Sequence, residues 1–140
     1  MKILLYYCNS IAIDMNRRNT SSKQEVLDVI AKSNLALSHD MINERLSIKI
    51  DRATIYRILN RYCEDGLLHK VIGDDGKQYF ALCKKCDESN CSHSKSHYHF
   101  RCEKCGNVEC LENDIKINVP EGYVITNTNA MLSGVCKSCI

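Results

Sequence analysis

Two Cys-x-x-Cys pairs, Cys102-x2-Cys105 and Cys136-x2-Cys139, place four soft thiolates on two short claws near the end of the chain. Each claw can hold one edge of a tetrahedron around Zn²⁺, with sulfur about 2.3 Å from the metal. Four cysteines close the coordination sphere, so a metal held this way supports a fold and performs no reaction. Gly106 follows the first claw and lets the chain turn back, bringing amides toward the sulfurs. The alternative use of the same residues, a disulfide framework, belongs to secreted chains. Met1 to Cys8 is a short apolar run broken by Asn9-Ser10, with one basic residue and no small-x-small cleavage site, so it does not read as an export signal. No stretch reaches the roughly 18 apolar residues of a membrane span. A cytoplasmic protein with reduced thiols and no membrane partner is expected.

Those ligands need a scaffold. A chain of 140 residues allows one domain or two small ones, and 44% apolar content with ten cysteines, no tryptophan and one proline describes a globular protein with a metal or redox habit. Residues 17–70 carry ten Lys/Arg against seven Asp/Glu, whereas residues 71–140 carry eight against nine. A mildly basic front half fits a nucleic-acid-binding role. Ser21 or Ser22 is placed to cap a helix running to about Asn34, with Val26, Leu27, Ile30 and Ala31 on one face. Ser38 caps a second, in which Met41, Ile42 and Leu46 keep helical spacing while Glu44 and Arg45 face solvent. Asp51 caps a third from Arg52 to about Asp65, and Gly66 is a natural stop. The period then changes. Leu67–Ile72 and Lys77–Leu82 flank Gly73-Asp74-Asp75-Gly76, which predicts a β-hairpin. Three short helices followed by a hairpin make a winged helix-turn-helix.

In the third helix Ile55, Ile58, Leu59 and Tyr62 recur at a spacing that buries them, leaving Arg52, Thr54, Tyr56, Arg57 and Arg61 on the outward arc. Arginines there can hold phosphates or guanine edges, and Tyr56 can pack on a thymine methyl. An ordinary amphipathic helix would show the same basic face; the hairpin directly behind it favours DNA. Cys83 to Ser96 has no periodicity and reads as a linker. From His97 the pattern is strand-like, at Tyr98–Arg101, Val108–Leu111 and Tyr123–Thr126. So short a segment buries too little apolar surface to stand alone, and requires its metal and a second copy of itself. The expected organisation is an N-terminal extension (1–16), a winged-helix DNA-binding domain (17–82), a hinge (83–96) and a zinc-binding dimerisation domain (97–140).

Arg18-Asn19-Thr20, Ala53-Thr54-Ile55-Tyr56-Arg57-Ile58-Leu59, Gly66-Leu67-Leu68, the hairpin, His97-Tyr98-His99-Phe100-Arg101-Cys102-x2-Cys105-Gly106 and the closing Cys136-x2-Cys139 together resemble the ferric uptake regulator family. The resemblance covers about residues 17–140. It implies an α+β chain, with an N-terminal winged helix-turn-helix domain and a small C-terminal α/β dimerisation domain carrying the four-cysteine zinc site. It also implies a homodimeric, metal-responsive repressor on a palindromic double-stranded DNA operator. On that basis Tyr56 reads a base, Arg57 grips a phosphate and Arg18 approaches the minor groove; Arg52 and Thr54 complete the expected DNA-binding set.

The resemblance further implies a second, regulatory metal. His97 and His99 match the family's paired sensor histidines, and alternation puts both on one side of a strand. The family's histidine at the start of the second helix aligns with Ala36, and its wing-end glutamate with Ala81. Tyr98 replaces a ligand of a secondary site. Two positions that hold carboxylates in some members hold Cys91 and Cys110 here. The resulting set, Cys91, His97, His99 and Cys110, suits Zn²⁺ better than Fe²⁺ or Mn²⁺, which favour harder and higher-coordinate sites. The chain is therefore most similar to zinc uptake regulators, with one structural and one regulatory zinc expected. A rival closure lies in the linker, Cys83-x2-Cys86-x4-Cys91-x-His93, so Cys83, Cys86 and His93 stand in reserve. His39 and His69 read as surface residues, and Cys8 and Cys63 as structural thiols.

Other chemistries fit less well. No thioredoxin-like βαβ pattern surrounds the cysteine pairs and no His-x-Glu deaminase signature is present, so neither an enzyme nor a small-molecule substrate is expected. A peroxide- or redox-responsive regulator is the alternative within the same family, since thiol-rich sites oxidise. An iron-responsive one lacks its oxygen ligands. A bare zinc-ribbon interaction module would not need the winged helix.

Overall fold

The computed structural model describes residues 20–82, 98–111, 116–126 and 130–140. The front elements are α1 (Ser21–Lys32), β1 (Leu37–Ser38), α2 (His39–Arg45), α3 (Arg52–Glu64), β2 (Leu68–Ile72) and β3 (Gln78–Leu82). The back elements are β4 (His99–Cys102), β5 (Val108–Cys110) and β6 (Met131–Gly134). This is the expected mix of helix and sheet.

Local chemistry sets most boundaries. Ser38 Oγ accepts from the Met41 amide at 3.3 Å, and Asp51 Oδ1 from the Thr54 amide at 2.9 Å, so each side chain satisfies one orphan donor of its helix. α1 differs: its cap is Thr20, not Ser21 or Ser22, and no side-chain bond closes it. α1 also ends at Lys32, two residues earlier than expected. Gly66, at φ 73°, stops α3 in the left-handed region. Val26 and Ile30 of α1, Ile42 of α2 and Ile55 and Leu59 of α3 converge on Leu37, Leu68 and Phe80, the core of the winged helix.

The wing sheet, ordered β1-β3-β2, is antiparallel, with His69 opposite Ala81 and Lys70 opposite Phe80. Alternation gives it two different faces. Leu68 and Phe80 pack on the helices. Val71, Tyr79 and Ala81 pack the other way, against Ala36 and Val108, with Cys110 and Met131 at the margin. The wing is thus a wall shared by two cores.

The second sheet, ordered β5-β4-β6, pairs β4 antiparallel to β5 and parallel to β6. The strand expected at Tyr123–Thr126 does not form. Its place is taken by β6, while the Tyr123 amide turns back to the Pro120 carbonyl at 3.3 Å. A β-branched run becomes a strand only beside a partner, and here the edge of β4 pairs with Met131–Gly134 instead. Two polar ties join the sheets' surroundings. The Ala36 amide donates to the Val108 carbonyl at 2.8 Å, and the Arg101 guanidinium grips both oxygens of Asp74 in the wing turn, Nη2 to Oδ2 at 2.7 Å. Among the described residues no helix is long and apolar enough to cross a membrane.

Candidate metal centres

Cys102 ends β4, Cys105 follows in a turn completed by Gly106 at φ 73°, and Cys136 and Cys139 lie just beyond β6. All four sulfurs lie within 4.8 Å of one another, and the four are thiols rather than disulfides. A tetrahedron with Zn–S bonds of about 2.3 Å has S···S edges of about 3.8 Å. Cys105 Sγ and Cys136 Sγ stand 3.8 Å apart. Amides complete the cradle: those of Cys105 and Cys136 donate to Cys102 Sγ at 3.5 and 3.4 Å. These bonds pull the Cys102 thiol down to about 6, whereas the neighbouring Cys136 and Cys105 side chains push Cys139 up to about 12. Four crowded sulfurs ionise together only around a cation.

A second group of donors lies where the wing meets the C-terminal sheet. His69 Nε2 is 3.1 Å from His99 Nε2 and 3.6 Å from Cys110 Sγ, and all three ligand atoms fall within 4.8 Å of one another. Tetrahedral zinc with bonds of about 2.05 Å to nitrogen and 2.3 Å to sulfur has N···N edges near 3.3 Å and N···S edges near 3.6 Å. The donors therefore already have nearly the spacing that the ion imposes. His99 and Cys110 are cross-strand partners on β4 and β5, and His99 is buried. His69 comes from the wing.

Two of the four expected regulatory ligands, His99 and Cys110, are thus brought together. Cys91, His97, Cys83, Cys86 and His93 lie outside the described residues, as does Arg18. His69 is a correction: expected on the surface, it is half-buried within the cluster. Leu68 faces the helices, so alternation turns His69 to the side of Val71, Tyr79 and Ala81, and that apolar company was the available signal. His69 sits directly across the ladder from Ala81. Ala36 and Ala81, where the family resemblance aligns a histidine and a glutamate, are buried apolar contacts at 1% and 5% exposure and offer no ligand. His39 is a second correction, buried at 6% exposure where a surface residue was expected. α2 begins there, and its ring stacks on Tyr56 with centroids 4.4 Å apart.

The outward arc of α3 carries the expected DNA-facing groups. Arg52 lies 5.6 Å from the Tyr56 ring centroid, and Arg57 Nη2 donates to Thr54 Oγ1 at 3.1 Å. Arg61, by contrast, is held by Glu64 and Asp65, each at 3.2 Å.

The Asp74–Arg101 pair gives the contact between wing and sheet a pH dependence. Hydrogen bonds from the Arg101 guanidinium hold the Asp74 carboxyl well below the usual carboxylate range, with Ser133 adding to the effect. A depressed carboxylate stabilises the folded chain above the unfolded-state value, about 3.9, and that stabilisation is lost as pH falls toward the lower folded value. Asp74→Asn is therefore expected to lower the urea midpoint at pH 7 and to matter progressively less below about pH 4. Salt screens so exposed a pair, and the same deficit at pH 7 and pH 3 would contradict the assignment.

The chain resembles known proteins in sequence and in fold. A sequence model described as the ferric uptake regulator family matches residues 14–133. The ferric uptake regulation protein of Bordetella parapertussis is 29% identical over 136 residues, covering 90% of this chain and 91% of that protein. The zinc uptake regulation protein of Escherichia coli is 27% identical over 146 residues, covering 98% and 81%. In fold, the chain is similar to a zinc uptake regulator complexed with zinc and DNA, at a TM-score of 0.58 and 22% identity, over 90% of this chain and 85% of that one.

Proposed function

Because this chain belongs to the ferric uptake regulator family of metal-responsive, DNA-binding transcription regulators, we propose that it is a zinc-responsive repressor. On this reading it binds a palindromic operator as a homodimer in the cytoplasm. The observation that carries the zinc assignment is the His69–His99–Cys110 cluster at the contact between wing and C-terminal sheet. Two imidazoles and a thiolate are borderline-soft donors that suit Zn²⁺, and no oxygen ligand stands at Ala36 or Ala81. The iron reading, which the likeness to ferric uptake regulation proteins would suggest, lacks its hard donors for that reason.

Two zinc sites per chain follow: a structural one on Cys102, Cys105, Cys136 and Cys139, and a regulatory one on His69, His99 and Cys110. His97 or Cys91 completes the regulatory set, with Cys83, Cys86 and His93 in reserve. Zinc supplies there a coordinate tie between the winged helix and the C-terminal sheet. His69 holds the wing's side of that tie, and His99 and Cys110 hold the other. Such a tie changes DNA affinity only by its differential affinity for two arrangements of the domains, and DNA in turn tightens zinc by the same factor. A second copy has an apolar surface to cover, with Tyr123, Val124 and Ile125 at 72%, 88% and 48% exposure. Arg52, Thr54, Tyr56 and Arg57, with Arg18, form the DNA-reading set.

Elemental analysis of zinc-saturated protein is expected to give two zinc ions per chain, and Cys110→Ser one. In fluorescence anisotropy, zinc is expected to tighten wild-type binding to a duplex from the regulated promoter and not that of Cys110→Ser. One zinc per saturated wild-type chain would remove the regulatory site.

A further inference from the structure

Winged-helix proteins lay the recognition helix in a major groove with the wing beside it, so a sugar–phosphate strand crosses the space between them. In this chain that space is a cleft of about 520 Å³. Its walls include His39, Tyr56 and Asn60 from the helices, Lys70 and Gln78 from the strands, and Lys77 from the wing turn. Each of these six side chains can donate a hydrogen bond. Asp40 is the one acid among the lining residues, and its carboxylate already meets Arg52 at 3.4 Å. Neither Lys70 nor Lys77 is paired with a carboxylate among the described residues.

His39 is the unusual member. Its ring is buried under Tyr56, at 20° to it, and neither ring nitrogen has a hydrogen-bond partner; Asp40 Oδ1 stands off at 3.5 Å from Nδ1. Buried polar atoms are rarely left so, and the ring's N–H calls for an acceptor. His39 lines the cleft, and a small turn of its ring, covered from solvent at both nitrogens, would bring an N–H to an acceptor seated there.

We propose that this cleft seats one phosphate of the DNA backbone, with Lys70 and Lys77 supplying charge and His39 a buried N–H. Because Tyr56 rests on the same imidazole, the seat also sets the height of Tyr56 over the bases. His39 is then a positioning residue as well as a phosphate ligand. The proposal rests on the DNA-binding reading above, but not on which metal the protein senses.

The test uses the full-length, zinc-loaded protein and a fluorescein-labelled random-sequence duplex, titrated by anisotropy between about 50 and 200 mM salt. The Lys70→Gln/Lys77→Gln double variant is expected to weaken binding on every sequence and to reduce the slope of log K against log salt by about 1. His39→Phe keeps an aromatic stack under Tyr56 but removes the N–H. It is expected to weaken binding about tenfold with the slope unchanged. Zinc content and melting temperature report whether each variant is folded, and the surface lysine pair keeps the test decisive should His39→Phe misfold. Wild-type affinity and slope in the lysine variant would overturn the proposal. So would competition by inorganic phosphate at constant ionic strength that is lost in the lysine variant, which would assign the cleft to the free anion. A wild-type protein that binds no duplex would overturn the DNA reading along with it.

Discussion

Cys102→Ser is expected to cost the chain its four-sulfur metal and, with it, the C-terminal sheet. Cys102 is fully buried and ends β4, the central strand that pairs with both β5 and β6. Its sulfur also collects the amides of Cys105 and Cys136, so a serine leaves two donors poorly matched as well as a ligand missing. The apolar contribution to this sheet is small: Val108 is its fully buried aliphatic residue, and β6 is largely exposed. Structural zinc contributes about 10–16 kcal/mol in small zinc-binding peptides, as much as the whole stability of an ordinary domain. Loss of the site therefore outweighs anything the sheet can recover by packing. The winged-helix core around Ile30, Ile55, Leu59 and Phe80 has no part in the four-cysteine site. The variant is expected to lose both zinc ions, because His99 and Cys110 stand on the same sheet, and to lose amide exchange protection in β4–β6 while α1 and α3 stay protected. A Cys102→Ser protein with wild-type protection in β4 would show that the sheet does not depend on its metal.

His69→Ala is expected to have the opposite profile, with the fold kept and the response lost. The side chain is half-buried on a strand, and alanine leaves the ladder to Ala81 intact. Removing even an outer-shell partner of a metal costs about 10–100-fold in affinity, so removing a ligand is expected to cost more than about 100-fold. A ligand bound at 100 times its dissociation constant stabilises the folded state by about 2.7 kcal/mol, and the variant should lose this zinc-induced rise. Calorimetry of wild type and variant with and without added zinc measures it, with the structural zinc retained in both. A variant whose melting temperature and operator binding still respond to zinc like wild type would remove His69 from the site.

The legible parts of the chain were those decided within a few residues. Ser38 and Asp51 cap their helices because the oxygen sits three residues from the amide it serves, and Gly66 stops α3 because it alone there takes a positive φ at no cost. The four-cysteine cluster was equally local, since the spacing inside each claw is itself the ligand geometry. His69 and His39 were misplaced because their surroundings come from distant segments. Val71, Tyr79 and Ala81 hint that this face of the wing is covered, but nothing near His69 in sequence says that Val108 and Cys110 cover it. Nothing near His39 announces a stack with Tyr56, seventeen positions on. Tyr123–Thr126 failed for the converse reason: its composition favours a strand, but pairing depends on which edge is open, and β4 pairs with Met131–Gly134.

The wing's two-faced burial has a consequence for how this chain tolerates change. In an ordinary wing, a shift of one residue in the hairpin trades core for solvent. Here it would trade one interior for another, turning Lys70 into the seam with the C-terminal sheet and His69 toward the helices. The five residues from Gly73 to Lys77, closed by the Gly73 amide on the Lys77 carbonyl at 2.8 Å, therefore act as a gauge. Their number decides which side chain of β2 meets His99, so the length of a surface turn sets the chemistry of an interior site.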